Sequence, residues 1–537
     1  MGEIWFGGTI YTMVEAGNKV DAIYTEDGII KDTGLFEDLL HSYPEAIRQD
    51  LKGNVLYPGF TDSHMHLIGH GEKLRRLDLS NLFSSVQVRE ALVEKVKDTP
   101  EDEWIFGEGW NENNFADRKI FHRQELDEIT SSHPMILSRV CRHAVLVNSK
   151  ALQLAGITKE TENPPGGVIV KDINGEPTGY LLDQAQELVK QVIPKATDNY
   201  LYQALKTSIQ DCVRLGLVGS HSEDLSYYGS FHKTYGAFQN LIVKDGFKYR
   251  AHLLVHHEVV DDMHIEGHCY KDSNGFITFG AMKIFADGAL GGRTALLSHP
   301  YNDAPETSGV AIHTREQLMD LVKKARNYGM AIAVHTIGDL AFEYMLDAIE
   351  TYPAPEGERD RLIHAQILTK ELINRAKKLP LILDIQPRFV ATDFPWIIER
   401  LGEERLEYSY AWKTLLDEGF ICAGGSDAPI EPVDPLLGIH AAVTRQSPGD
   451  PLQTVYQPRQ CLSMYEAIEL FTKGSAMAIS EEHKQGVIQK GYYADFTVLN
   501  KDLFQISNDD ILQTEVIMTV IDGTIMYENM ETISLNN

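Results

Sequence analysis

The chain has 537 residues and a formal net charge of -29, its acidic side chains spread along the sequence rather than gathered in a tail. Such a length has room for a large barrel plus an accessory domain, and the acidic balance argues against nucleic acid as a partner while suiting a small neutral or cationic molecule. Five cysteines without CxxC spacing point away from a disulfide framework or a thiolate zinc site, and no apolar run has the length of a membrane span, so a cytoplasmic protein with reduced thiols and no membrane partner is expected.

In chain order, the first elements are short strands. Residues 22–25 and 29–30 flank Asp27-Gly28, and near the other end residues 518–521 and 524–527 flank Asp522-Gly523. Each pattern predicts a hairpin with a tight Asp-Gly turn. Because a lone hairpin is unstable, residues 1–57 and 484–537 are expected to form one small β-sandwich domain from both termini.

Between them, residues 58–483 alternate short apolar runs with amphipathic helical patterns, the mark of βαβ units. The runs at 55–60, 217–220, 252–255, 281–285, 331–334, 361–363, 381–385 and 420–423 predict the strands of a (β/α)8 TIM-like barrel, an α/β fold. Helical patterns at 316–328, 341–352, 370–378 and 464–472 sit between or after them. The stretch 69–215 is too long for one crossover and is expected to be an inserted α/β subdomain placed to roof the barrel mouth.

The strongest chemical signal ends the first run, in Thr61-Asp62-Ser63-His64-Met65-His66. Residues two apart in an extended chain point the same way, so His64 and His66 can share one ion. His335, His364 and Asp427 follow the fifth, sixth and eighth runs, and Lys283 lies on the fourth. Strand ends of a barrel converge on one mouth, which makes neighbours of these distant positions. Nitrogen and oxygen donors suit zinc, manganese, iron, cobalt or nickel without separating them; one or two divalent ions per chain are expected, zinc foremost among them.

This arrangement resembles the amidohydrolase superfamily. The segments Lys283-Ile284-Phe285-Ala286-Asp287-Gly288, Val334-His335-Thr336-Ile337-Gly338-Asp339, Arg361-Leu362-Ile363-His364-Ala365-Gln366, Gly425-Ser426-Asp427-Ala428-Pro429 and Gly491-Tyr492-Tyr493-Ala494-Asp495-Phe496 are similar to its family 3 branch, which includes N-substituted formamide deformylase. The resemblance implies a metal-dependent hydrolase of an amide, N-formyl or cyclic amide bond. It implies His64, His66, Lys283, His335, His364 and Asp427 as metal ligands, with Asp427 also the general acid and base. An ammonium cannot coordinate a dication, so Lys283 would serve as a carboxylated lysine bridging two ions. His143 and Gln366 are implied to face the small-molecule substrate, and Trp110 and Arg293 are weaker candidates for the same part.

Other readings stand beside this one. Barrels with these ligands also host deaminases, decarboxylases and isomerases, although Lys283 is superfluous in a single-metal deaminase. A non-catalytic scaffold relative is a third class, but such chains tend to lose ligands that this one keeps. Asp339 reads equally as a helix N-cap or as a support for a ligand histidine, and Asp287 as a turn residue. His221, His256 and His257 read as polar residues at strand ends, and Cys422 as a small buried hydrophobe. A homodimer is expected only from the general frequency of dimers.

Overall fold

The structure, a computed structural model, describes residues 2–529 apart from 102, 113–114, 116, 140–143 and 165–166. Contacts divide the chain into two compact units, one of residues 1–71 with 198–537 and one of 72–197.

The first unit is built on eight strands: β1 (Phe60–Met65), β2 (Leu217–Ser222), β3 (Arg250–His256), β4 (Ile277–Phe285), β5 (Ile332–Thr336), β6 (Asp360–His364), β7 (Leu381–Ile385) and β8 (Ile421–Gly424). Each pairs in parallel with the next. The ring is completed just past β8, where the Asp427 N–H donates to the His64 carbonyl and the His66 N–H to the Ala428 carbonyl, both at 2.7 Å. This is the (β/α)8 barrel read from the sequence. Strands such as Leu381–Ile385 are buried throughout, as parallel strands covered on both faces must be.

Local signals explain the surrounding helices. Arg315–Asn327 starts at a capping box made by Thr314 and Gln317, and buries Leu318, Val322 and Ala325 on one face. Inside the barrel, the Arg361 guanidinium donates to Asp384 Oδ2 at 2.8 and 2.6 Å and to the Ser63 carbonyl at 2.7 Å, joining β6 and β7 to β1. Both partners are buried, so each depends on the other for its charge.

The first apolar run behaves differently from its expectation. Val55–Pro58 is no barrel strand: it pairs with Thr9–Tyr11 and with Phe496–Leu499 in a six-stranded sheet built from both termini. The chain crosses to the barrel at Gly59, where an added Cβ would come within 2.5 Å of Val218. An apolar run states that it will be buried, not which sheet buries it. A four-stranded sheet, in the order Ile29–Gly34, Ala22–Glu26, Glu3–Phe6, Ile47–Asp50, lies beside the six-stranded one. Trp5, Ile23 and Ile30 from one and Ile10, Leu56, Phe496 and Val520 from the other share a core. Both Asp-Gly hairpins are present, with Asp27, Gly28, Asp522 and Gly523 all at positive φ as such turns require.

The insertion is also shorter than expected. Its compact unit is 72–197, whereas Asp198–Arg214 belongs with the first unit, where the Val213 carbonyl accepts the Thr519 hydroxyl at 2.7 Å. The unit carries a six-stranded mixed sheet and the helices Ser85–Asp98, Arg123–Asp127 and Ser149–Leu154. No helix among the described residues is long and apolar enough to cross a membrane.

Candidate metal centre

The residues at the C-terminal ends of the barrel strands build one cluster. On β1, His64 and His66 face the same side, with ring centroids 5.7 Å apart. Their Nε2 atoms lie 3.6 and 3.5 Å from Asp427 Oδ1. One donor atom from each of the three falls within 4.8 Å of the others, a spacing that one ion can span.

Hydrogen bonds around the cluster decide which atoms face inward. His66 Nδ1 donates to the Glu223 carbonyl at 2.6 Å, which turns Nε2 toward Asp427. Asp427 is placed by the turn after β8: Gly425 lies so close to β1 that a Cβ there would meet His64 N at 2.6 Å. Asp62 anchors the turn, accepting from the backbone of His64 at 3.0 Å and of Ser426 at 3.1 Å. Burial nevertheless pushes the Asp62 carboxyl up to about 7. Asp427 and His364 both occupy the left-handed backbone region, at φ of 57° and 77°, an uncommon conformation for non-glycine residues and one that clusters at functional sites.

A second pair of histidines adjoins the first. His364 lies 5.7 Å from His64 and 4.4 Å from His335, measured between ring centroids. His364 Nδ1 is tied to Gln386 Oε1 at 2.7 Å, which frees Nε2. His335 Nε2 faces the Gly288 carbonyl at 3.2 Å and Asp287 Oδ1 at 3.7 Å, which frees Nδ1. Asp287 is more than a turn residue: its carboxylate accepts the N–H groups of Leu296, Ile337 and Gly338 at 2.9, 3.1 and 2.8 Å.

Lys283, fully buried on β4, brings its Nζ to 3.4 Å from His64 Nε2. Burial pulls its ammonium below the ordinary value against the opposing pull of Glu223 and Asp427. Burial also depresses His64 and His335 well below the usual histidine range and His364 to about 4, with Lys283 adding to each effect. Neutral imidazoles are the form that coordinates metal. His66 runs the other way: burial would depress it, but the hydrogen bond and charge of Asp427 lift it to about 9. Burial raises Asp427, yet His66, His364 and Lys283 together bring it below the usual carboxylate value.

The donor set fits a divalent ion. Four histidine rings and a carboxylate supply nitrogen and oxygen donors, and thiols are absent from the cluster among the described residues.

The expected substrate residues fare unevenly. Gln366 is buried two residues past His364, its carbonyl accepting the Tyr410 N–H at 2.7 Å. Arg293 is not drawn into the cluster, because its guanidinium forks onto Asp303 at 3.1 and 2.8 Å near the surface. Trp110 is a core residue of the 72–197 unit, 1% exposed, with its indole N–H donated to the Leu137 carbonyl at 2.9 Å. Its large apolar ring is used for packing and has no face to offer a ligand. His143 lies outside the described residues. Asp339 does not cap its helix with its side chain and holds no histidine among the described residues; it accepts the Ser298 N–H at 2.9 Å.

Sequence reasoning missed Glu223 and the role of Gln386. Glu223 follows β2 directly and is fully buried, with Oε2 3.8 Å from Lys283 Nζ. Burial pushes its carboxyl up to about 7. The signal for it in the sequence is its place at a strand end, the same place that His66 holds on β1. His221, on β2 itself, packs against His252, 5.1 Å away between ring centroids.

Comparisons with known proteins agree with this geometry. The protein YtcJ of Bacillus subtilis (strain 168) is 52% identical over 530 residues, spanning 98% of this chain and 100% of that one. N-substituted formamide deformylase of Arthrobacter pascens is 26% identical over 506 residues, 90% of each chain. The crystal structure of an uncharacterized metal-dependent hydrolase from Pyrococcus furiosus superposes with a TM-score of 0.79 at 28% identity, covering 94% of this chain and 100% of that one. Residues 49–527 match the amidohydrolase family, and the chain therefore belongs to it.

Proposed function

We propose that this protein hydrolyses a non-peptide C–N bond of a small molecule, an amide, N-formyl or cyclic amide, with zinc as its divalent ion. The observation that carries the proposal is the convergence of His64, His66 and Asp427 donor atoms within 4.8 Å at the barrel mouth. The relationship to a formamide deformylase supports N-formyl amines as the first substrates to try.

His64, His66 and Asp427 would hold one ion, and the freed nitrogens of His335 and His364 a second. Lys283 lies beside His64 Nε2, where an ammonium would repel any ion held there; carboxylation of its amine would replace that charge with an anionic carbamate able to act as a metal ligand. Bound divalent metal lowers the pKa of water toward neutrality and polarises a carbonyl oxygen. Asp427 would take the proton from the attacking water and return it to the leaving nitrogen. The Gly288 carbonyl and Gln386 would orient His335 and His364, each engaging one ring nitrogen and leaving the other for metal.

Metal analysis of the purified protein, joined to an activity screen over N-formyl amines, N-acyl amines and cyclic ureides, tests this. Firmly bound zinc with release of an amine or ring-opened product is the expected outcome. Less than one equivalent of metal, with no turnover after addition of zinc or manganese and bicarbonate, defeats it.

A further inference from the structure

Glu223 is a buried ionisable group without a task in the proposed chemistry. It is fully inaccessible, and neither of its carboxylate oxygens has a hydrogen-bond partner. A carboxylate without donors is not tolerated in a protein interior unless a cation meets it. The nearest cation, Lys283 Nζ, stands 3.8 Å away, beyond hydrogen-bond reach. The adjacent Asp224 shows what a structural carboxylate looks like here: its Oδ2 takes the Ser222 hydroxyl at 2.6 Å and the Ile68 N–H at 3.1 Å.

The position of Glu223 ties it to the cluster twice. Its backbone carbonyl orients His66 through Nδ1, and its carboxylate lies 3.8 Å from the Lys283 amine that stands 3.4 Å from His64 Nε2. If Lys283 carries a carbamate, the ammonium disappears and Glu223 is stranded beside a second anion. Asp427 and that carbamate alone also leave two dications short of neutral charge.

We infer that Glu223 is a further ligand of the metal centre, a second carboxylate donor supplied from the end of β2 beside Lys283. This assignment rests on the metal-hydrolase reading above. The competing role is that of a mere counterion to a protonated Lys283, which predicts different behaviour once the negative charge is removed.

The test uses the full-length protein, wild type and the variants Glu223→Gln and Glu223→Asp, each loaded with zinc or cobalt(II) in bicarbonate buffer. Metal content after dialysis against a graded chelator is measured by mass spectrometry, alongside the visible spectrum of the cobalt form and the melting temperature of the metal-free form. The ligand role predicts that Glu223→Gln weakens metal retention by more than roughly 100-fold, beyond the 10–100-fold typical of a supporting residue. It also predicts an altered cobalt spectrum and partial recovery in Glu223→Asp. Wild-type metal content and spectrum in Glu223→Gln, with or without a loss of melting temperature in the metal-free protein, overturn the inference and leave the hydrolase reading standing. A wild-type protein that binds no metal overturns both.

Discussion

The Asp427 N–H donates to the His64 carbonyl at 2.7 Å, while the Asp427 carboxylate lies 3.6 Å from Nε2 of the same histidine. One pair of residues thus closes the barrel with its main chain and builds the candidate metal centre with its side chains. Ring closure sets the separation of these two donors, so geometry at the cluster is coupled to the integrity of the fold.

Replacing the side chains while keeping that main-chain link should separate the two roles. Asp427→Asn and His64→Ala are expected to lower kcat by about 10²–10⁴-fold or more while the melting temperature stays within a few degrees of wild type. Full residual turnover in either variant would remove the residue from the proposed mechanism.

Gly425→Ala attacks the closure instead. The added methyl meets His64 N at 2.6 Å, a backbone atom that cannot rotate away. A stability loss of about 1–3 kcal/mol is expected, read from denaturant midpoints, together with weaker metal binding. An unchanged midpoint would show that the turn can shift freely.

Gln386 holds His364 through a 2.7 Å hydrogen bond at Nδ1. Gln386→Leu should weaken metal affinity by roughly 10–100-fold in a competition titration, whereas Gln386→Glu, which keeps an acceptor, should not. Equal affinities for the two variants would mean that packing alone orients the ring.

Asp287→Ala strands three backbone N–H groups, those of Leu296, Ile337 and Gly338. The expected loss of stability is about 3 kcal/mol or more, because each buried donor left without a partner costs about 1–3 kcal/mol. Thermal unfolding of the metal-free variant measures it without interference from bound ions.

Asp393 provides a pH prediction away from the cluster. Burial pushes its carboxyl up to about 7 even though the Tyr410 hydroxyl donates to it at 2.6 Å. The unfolded chain releases this proton near pH ~3.9. Between those values the native state binds more protons than the unfolded one, so stability falls as pH rises from about 4 through about 7. Asp393→Asn keeps an acceptor for Tyr410 and should make the urea midpoint decline less steeply across this window. A variant with the wild-type slope would show that Asp393 is already ionised at low pH.

The histidines, Lys283 and Asp427 were legible because each sits at or near the end of an apolar run, and a barrel gathers such ends at one mouth. The surroundings of Trp110 and Arg293 were not legible, because residue type carries no information about partners: one ring packs in the core of the 72–197 unit, and one guanidinium pairs with Asp303. Glu223 and Gln386 went unassigned because their tasks exist only in relation to Lys283, His66 and His364.

The linear order of residues was enough to determine where strands and helices form and which side chains end the strands, since periodicity and capping act over a few positions. The same local patterns carried both Asp-Gly hairpins. Only the tertiary structure decided that Val55–Pro58 joins the sheet of the termini and leaves β1 to start at Phe60. It also decided that a glutamate after β2 shares one buried space with a lysine on β4. Burial and pairing between remote segments are collective outcomes of packing, and no short stretch of sequence contains them.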